Sequence, residues 1–483
     1  MLKRVERLAG ACTAAALLAG VAQAAPPPIS VPVDAGNASN TGGGPFGFVD
    51  GLSRSNTFLG DMWGIRPFLS RYGISFALQE TSEVLGNVTG GTRTGFDYDG
   101  LTQMVLQMDT QRAFGWYGGT LNASALQIHG RNLSADNLAS LQTSSGIEAD
   151  RSTRLWELWY QQKLLDEDRL DIKIGQQSLD QEFMVSQNAL LFVNTMFGWP
   201  MVPSADLPGG GPAYPLSALG VRLRGKPTDS ITILAGIFNG SPAPNNNGDP
   251  QQINASGTSF PLNGRTLAIA ELQYAYPSLG NVTMPDEVGA LSRTYRIGVW
   301  YDDEQFADQR FDTNGLSLAN PASNGNPRSH HGDYSIYAVA DQMLWVNPSD
   351  SNRNLSGFIR VMGTPESDRN LVSFSANAGL TLHQPLQYRN DDTFGLGMGF
   401  AHVSSGASGL DADVAAQDGG FAPIRGSETF IEATYQYQVK PWWQMQPDLQ
   451  YVFNPGGGVA NPNSPNQRVG DEFVLGLRTN ISF

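Results

Sequence analysis

The residues from Phe473 to Phe483 alternate strictly between apolar and polar side chains. Phe473, Leu475, Leu477, Thr479, Ile481 and Phe483 fall on one face, and Val474, Gly476, Arg478, Asn480 and Ser482 on the other. A period of two sustained over this length predicts a strand with one apolar face. A chain seldom stops flush on such a face when the face covers a soluble core. In an outer-membrane barrel the apolar face meets lipid and the polar face a wet lumen. Such a barrel must close, because an unpaired strand edge is very costly in hydrocarbon.

The same alternation recurs along the chain. It predicts strands starting near Ile74, Leu101, Thr120, Leu155, Leu170, Ala218, Ile231, Thr266, Tyr295, Asp333, Leu355, Val372, Thr393, Thr429, Trp443 and Phe473. That is about sixteen, the even count of single-chain barrels, each near the 9–11 residues that cross a bilayer. The connections sort by length. Short ones at 166–168, 225–229, 347–352 and 440–441 alternate with long ones near 130–153, 179–216, 239–264, 302–332, 403–427 and 454–471. Short turns on one rim and long loops on the other are the mark of a transmembrane β-barrel. Two connections depart from the scheme: 277–293 is long for a turn and 363–370 short for a loop. Within strands, Ile431, Ala433, Tyr435, Tyr437 and Val439 alternate with Glu432, Thr434, Gln436 and Gln438. In the same way Trp443, Met445, Leu449, Tyr451 and Phe453 alternate with Gln444, Gln446, Asp448 and Gln450. The predicted interior is therefore a polar channel rather than a packed core. Trp116, Tyr117, Trp442 and Trp443, near strand ends, suit an interfacial aromatic girdle.

Ahead of the barrel, Lys3, Arg4 and Arg7 precede an apolar run from Leu8 to Val21 and the small-residue site Ala22-Gln23-Ala24. This is the pattern of a signal peptide, 1–24, implying export. Residues 25–58 are rich in Pro, Gly, Asn and Ser without apolar period and read as a flexible linker. The domain 59–483 then opens with a short periplasmic helix, its apolar side formed by Leu59, Met62, Trp63 and Ile65.

Composition narrows the function. Hydrophobic residues make up 40% of the 483, and no window after the leader approaches the roughly 18 unbroken apolar residues of a spanning helix, so crossing by helices is excluded. A net charge of −15 removes the basic surface that a nucleic-acid partner needs. The one cysteine, Cys12, lies in the leader, so the exported chain has no disulfide and no thiol chemistry. His330-His331-Gly332-Asp333 lacks a spaced third metal ligand and falls in a predicted surface loop. Asp302-Asp303-Glu304 and Asp411-Ala412-Asp413 lack the spacing of a calcium loop. Gly395-Leu396-Gly397-Met398-Gly399 lacks the helix and Lys of a phosphate loop, and its glycines are read as small lumen-facing positions. No Gly-x-Ser-x-Gly elbow appears. Neither catalysis nor a cofactor or metal is expected.

Three blocks carry a resemblance to a known family. They are Leu59-Gly60-Asp61 through Gly73-Ile74; Arg154 to Gln162 with Asp168 to Gln176 and Glu182-Phe183; and Glu428 to Gln438 with Pro441 to Gly457. In these blocks the chain resembles the carbohydrate-selective porin family, OprB. The resemblance implies an all-β fold, a transmembrane antiparallel β-barrel of about 16 strands in the bacterial outer membrane, with loops folded inward and sugars passing by diffusion. Its surroundings would be outer-membrane lipid, its solutes small carbohydrates such as glucose, and a homotrimer is an assembly left open. Strand parity supplies candidate solute contacts. Glu157 and Trp159 oppose a presumed lipid-facing Trp156, Leu158 and Tyr160, while Asp171 and Lys173 oppose Leu170, Ile172 and Ile174. Arg131, Arg154 and Glu182 sit at loop-proximal ends, where an eyelet would form. The competing account has these charges pair to brace the wall. Three other functions stay in view: a general diffusion porin without sugar selectivity, a barrel-borne enzyme for which no catalytic constellation is found, and an adhesin whose loops carry few anchoring aromatics.

Overall fold

The computed structural model describes residues 56–244, 248–262, 264–276, 291–418 and 420–483. The predicted signal peptide, most of the predicted linker and most of the 277–293 connection lie outside these. The barrel strands are β1 (Ile74–Gly91), β2 (Gly95–Asp109), β3 (Gly119–Gly130), β4 (Ser152–Leu164), β5 (Leu170–Gln177), β6 (Ala218–Thr228), β7 (Ile231–Asn239) and β8 (Thr266–Tyr276). They continue as β9 (Arg293–Asp312), β10 (Pro327–Asn347), β11 (Asp350–Gly363), β12 (Val372–His383), β13 (Thr393–Val403), β14 (Ser427–Lys440) and β15 (Trp443–Phe453). A small ribbon, β16 (Ala460–Asn461) with β17 (Ser464–Arg468), decorates the loop before the closing strand β18 (Gly470–Ser482). Each barrel strand pairs antiparallel with its neighbour in the chain, and β1 pairs with β18, from Gln79 opposite Ser482 to Asn87 opposite Val474. This closed sixteen-stranded barrel is the fold that the alternation predicts.

Every predicted strand is present. Those predicted at Ile74, Leu170, Ala218, Ile231, Thr266, Val372, Thr393 and Trp443 begin there, and the others begin earlier, β2 and β10 most of all. Strand length departs from the expected 9–11 residues: β9 has 20 and β10 has 21. The cause is a tall hairpin. Asp302, Glu304 and Asp308 keep the inward parity of β9 well past the apolar band and are buried, so charge masks a strand that still alternates. The expected loop 302–332 thus shrinks to 313–326. His330 lies on β10, not in a surface loop, with its Nε2 2.8 Å from Asp308.

The periplasmic helix α1 (Ile65–Arg71) is shorter than predicted, because Gly60, Met62, Trp63 and Gly64 take left-handed backbone conformations that make turns of 59–64. The linker also ends sooner than residue 58. The Phe58 amide donates to the Ser482 carbonyl (2.7 Å), and its ring lies 4.8 Å from that of Trp442. Trp442 stacks on Trp443 at 6.1 Å, while Trp116 and Tyr117 stay exposed beside the β2–β3 turn, placing aromatic rings on the short-turn rim.

The lumen differs from the expected polar channel. The connection 178–217 folds inside and contributes Phe192, Met196, Phe197 and Trp199 to a buried cluster with Leu234, Phe238, Trp300, Phe358 and Phe430 of the wall. Part of the interior is therefore a packed core, because the wall's inward positions are not uniformly polar. The glycines of β13 make it possible. Phe192 and Phe197 stack 4.3 Å apart over them, and a Cβ on Gly397 would lie 2.6 Å from Phe197 and 2.8 Å from Phe192. Gly397→Val is therefore expected to leave the barrel closed while lifting the loop, at a cost of about 1–3 kcal/mol for overpacking. Single-channel conductance should rise above wild type, and an unchanged value would show that the loop does not rest there.

Candidate functional site

The site is built on three consecutive strands. On β4 the register slips by one, so that Ser124 pairs with Glu157 and Ala125 with Leu155. This β-bulge leaves Trp156 unpaired and sends two consecutive side chains inward. Trp156 is accordingly only 4% exposed and meets Tyr214 edge-on, with centroids 6.3 Å apart, which corrects its lipid-facing assignment. Glu157 accepts the Ser178 amide at 3.1 Å and so holds the first residue of the infolded loop. Leu158 and Ile174 face outward, as parity requires.

From β5 and β6 comes a ladder of alternating charge. Asp171 accepts from the Arg222 guanidinium and, at 2.6 Å, from Arg224 Nε. Lys173 reaches Glu182 of the loop at 2.6 Å and lies 4.3 Å from the centre of the Trp159 ring. Arg222 meets Glu182 as well, at 2.6 Å. Asp171, Lys173 and Arg222 are buried, whereas the Glu182 and Arg224 side chains keep 21% and 35% of their surface open. Those two are the accessible ends of an otherwise buried, ion-paired network.

Five of the predicted residues, Glu157, Trp159, Asp171, Lys173 and Glu182, therefore meet in one group. Arg131 does not join it. Its side chain is 62% exposed on the loop rim, bound to Asp136 at 2.7 Å, because β3 ends at Gly130 and the chain turns outward. Arg154 is buried apart, donating to Ser152 (2.8 Å) and to the Gln251 carbonyl (3.3 Å) beneath the β7–β8 loop. Arg222 and Arg224 were missed by sequence reasoning. The alternation Val221, Arg222, Leu223, Arg224 on β6 is the same signal that drew attention to Asp171 and Lys173.

Electrostatics set the loop anchor. Burial pushes the Glu182 carboxyl upward, but Lys173 and then Arg222 override it and hold the group at about 2. Glu182 lies outside the spanning strands, so its titration acts on the infolded loop.

Residues 93–483 match the family described as carbohydrate-selective porin, OprB family. The chain belongs to this family. It is 26% identical over 422 residues to Porin B of Pseudomonas aeruginosa, covering 83% of this chain and 88% of that protein. Over 450 residues it is 20% identical to a putative porin, QuiX, of Acinetobacter baylyi, covering 88% and 92%. Among solved structures, the high-pH form of Pseudomonas putida OprB superposes with a TM-score of 0.76 at 25% identity, covering 89% of this chain and 99% of that one. The family's members are channels, and this chain is an outer-membrane carbohydrate porin.

Two predictions follow from the ladder. Arg222→Met would leave Asp171 and Glu182 short of a buried partner and should destabilise the barrel by about 3–5 kcal/mol. Arg131→Met, at an exposed pair, should cost about 0–1 kcal/mol; denaturant unfolding in lipid vesicles compares them. The second concerns pH. A carboxyl whose folded pKa is depressed adds stability that is present above its unfolded pKa and lost as pH falls through the folded one. The Glu182-dependent part of the conductance should therefore stay level from pH 8 to about 5 and change between about 4 and 2, and Glu182→Gln should remove that acid step.

Proposed function

We propose that hexoses pass the infolded loop by exchanging hydrogen bonds with Glu182 and Arg224, while Trp159, Asp171, Lys173 and Arg222 hold those two in place. The observation that carries this is the division of the ladder into a buried, mutually paired part and two partly open ends. The Lys173 ammonium occupies one face of Trp159, so the indole positions the ladder and is not the main stacking surface for a sugar. Charged groups bind hydroxyls more strongly than neutral ones do, and a planar guanidinium beside a carboxylate meets adjacent hydroxyls with donors and acceptors at once. Both groups stay anchored to partners, so the solute displaces water and not an ion pair, and the binding is weak enough to release. No covalent step is involved.

Single-channel conductance in a planar bilayer, titrated with glucose, a disaccharide and an amino acid, tests the reading. A saturable drop in current with glucose is expected, reduced severalfold in affinity by Glu182→Gln or Arg224→Met. Current that no sugar reduces would move the chain to general diffusion of small polar solutes.

A further inference from the structure

On the wall opposite the charged ladder, six neighbouring strands each present one inward, neutral polar side chain at one level. In barrel order these are Gln79 on β1, Asn480 on β18, Gln444 on β15, Gln436 on β14, Thr393 on β13 and His383 on β12. The register makes them one row. Asn480 stands opposite Gln444, Gln436 opposite Thr393, and Thr393 opposite His383, while Gln79 and Gln436 are diagonal neighbours of the next strand's residue. The row lies near the short-turn ends of its strands, on the periplasmic side. It borders a cavity of about 320 Å³ whose other side is Gln187, Asn188, Leu190 and Leu191 of the infolded loop. That volume is at the lower end of the roughly 300–1,000 Å³ of small-molecule sites.

We infer that this carboxamide row is a second solute station, selective for neutral polyhydroxylated solutes and set on the periplasmic side of segment 187–191 of the infolded loop. The inference rests on the sugar-porin reading and extends it to a separate wall. Three facts support it. First, the cavity's one permanent charge, Arg478, is already committed to Glu83. An anion therefore gains little there, and desolvating it remains costly. Second, the row is only partly self-satisfied. Gln436 donates to Gln444 at 3.3 Å, Gln444 donates to Gln438 at 2.8 Å, Thr393 and His383 share a hydrogen bond of 3.1 Å, and Thr81 donates to the Asn480 oxygen at 2.7 Å. The Gln436 oxygen, the Asn480 amide nitrogen and the whole Gln187 carboxamide have no hydrogen-bond partner among the described residues. A carboxamide presents two N–H donors and a carbonyl acceptor in one plane, which suits vicinal hydroxyls. Third, Leu190 and Leu191 give the cavity an apolar patch for the C–H face of a pyranose.

The two stations differ in chemistry, and this makes the inference testable in isolation. The full-length protein is inserted in one orientation into a planar bilayer, and glucose or gluconate is added to one side at a time. Glucose from the periplasmic side should block wild type at a concentration about tenfold below gluconate, the effect of roughly one to two hydrogen bonds. The triple variant Gln79→Leu, Gln436→Leu, Asn480→Leu should raise the periplasmic half-block concentration of glucose about tenfold, leaving the extracellular-side value within about twofold. Should that variant fail to fold, the single variant Gln436→Leu removes one donor–acceptor group of the row, and it should weaken periplasmic glucose block on its own. A glucose block unchanged from the periplasmic side in both variants, or a gluconate block there equal to that of glucose, overturns the station. If the carboxamide variants act while Glu182→Gln is silent, the station stands and the ladder reading falls. If glucose blocks wild type from neither side, both fall.

Discussion

An irregular loop inside a membrane barrel must find partners for its backbone within the barrel, because an unpaired N–H or C=O costs several kcal/mol where water is scarce. Here the wall's ionisable side chains supply them. Glu428 accepts the amides of Leu141, Gln142 and Gly456 at 2.6–2.8 Å, and Glu432 those of Val193 and Asn194 at 2.6 and 2.9 Å. Glu271 takes Met184, and Asp341 takes the Ser186 hydroxyl with the amides of Gln187 and Asn188. In the opposite sense, Arg360 donates to the carbonyls of Met184, Met196 and Gly198. Hydrogen bonds to charged groups contribute about 1.5–3 kcal/mol each, more than neutral ones. The chain's strong acidity is thus partly structural: amide donors of infolded backbone call for acceptors, and strands provide carboxylates at fixed height.

This stitching explains how the lumen holds a hydrophobic cluster in a fixed position. The aromatic side chains of 192–199 fill space against β13, where glycine allows close approach, while the backbone of the same segment is held by Glu432 and Arg360. Packing fixes how far the loop enters, and hydrogen bonds fix its rotation. Neither alone would fix the loop's place in the barrel. A loop held by packing only would slide along an apolar wall, and one held by side-chain carboxylates only would leave voids at its centre.

The fold was legible because a period of two survives almost everything that happens to a transmembrane strand. Leu475 and Leu477 face lipid and Arg478 and Asn480 the interior, as alternation alone predicts. What the period does not carry is an insertion of one residue. The bulge at Trp156 moves that indole inside, and no count of alternating positions reveals it. Parity also says which residues point inward without saying what they meet. Parity found Glu157 and Lys173, whereas Glu182 was found only by its place at a loop-proximal end, and Ser178, which Glu157 holds, belongs to a segment with no period at all. Arg131 misled for the complementary reason: one residue past the end of β3, side-chain direction is set by the turn and no longer by the strand. The β9–β10 hairpin was hidden by its charge, since Asp302 and Asp308 look like loop residues until their alternation is followed.

The interior is divided by chemistry. The β4–β6 side carries a ladder of paired charges, and the side from β12 round to β1 carries neutral amides near its short-turn ends and the charges of Glu83, Glu428, Glu432 and Arg478 farther along the same strands, with the infolded loop between them. A uniformly charged lumen would hold ions and their counterions and exclude little by type. A uniformly neutral one would bind hydroxyls weakly everywhere and favour no orientation. On the proposed reading, anchored charge on one wall and carboxamides on the facing wall would give a polyhydroxylated solute several comparable, individually weak partners. A solute that gains at each step and is trapped at none moves down its gradient, which is the condition a passive selective pore has to meet.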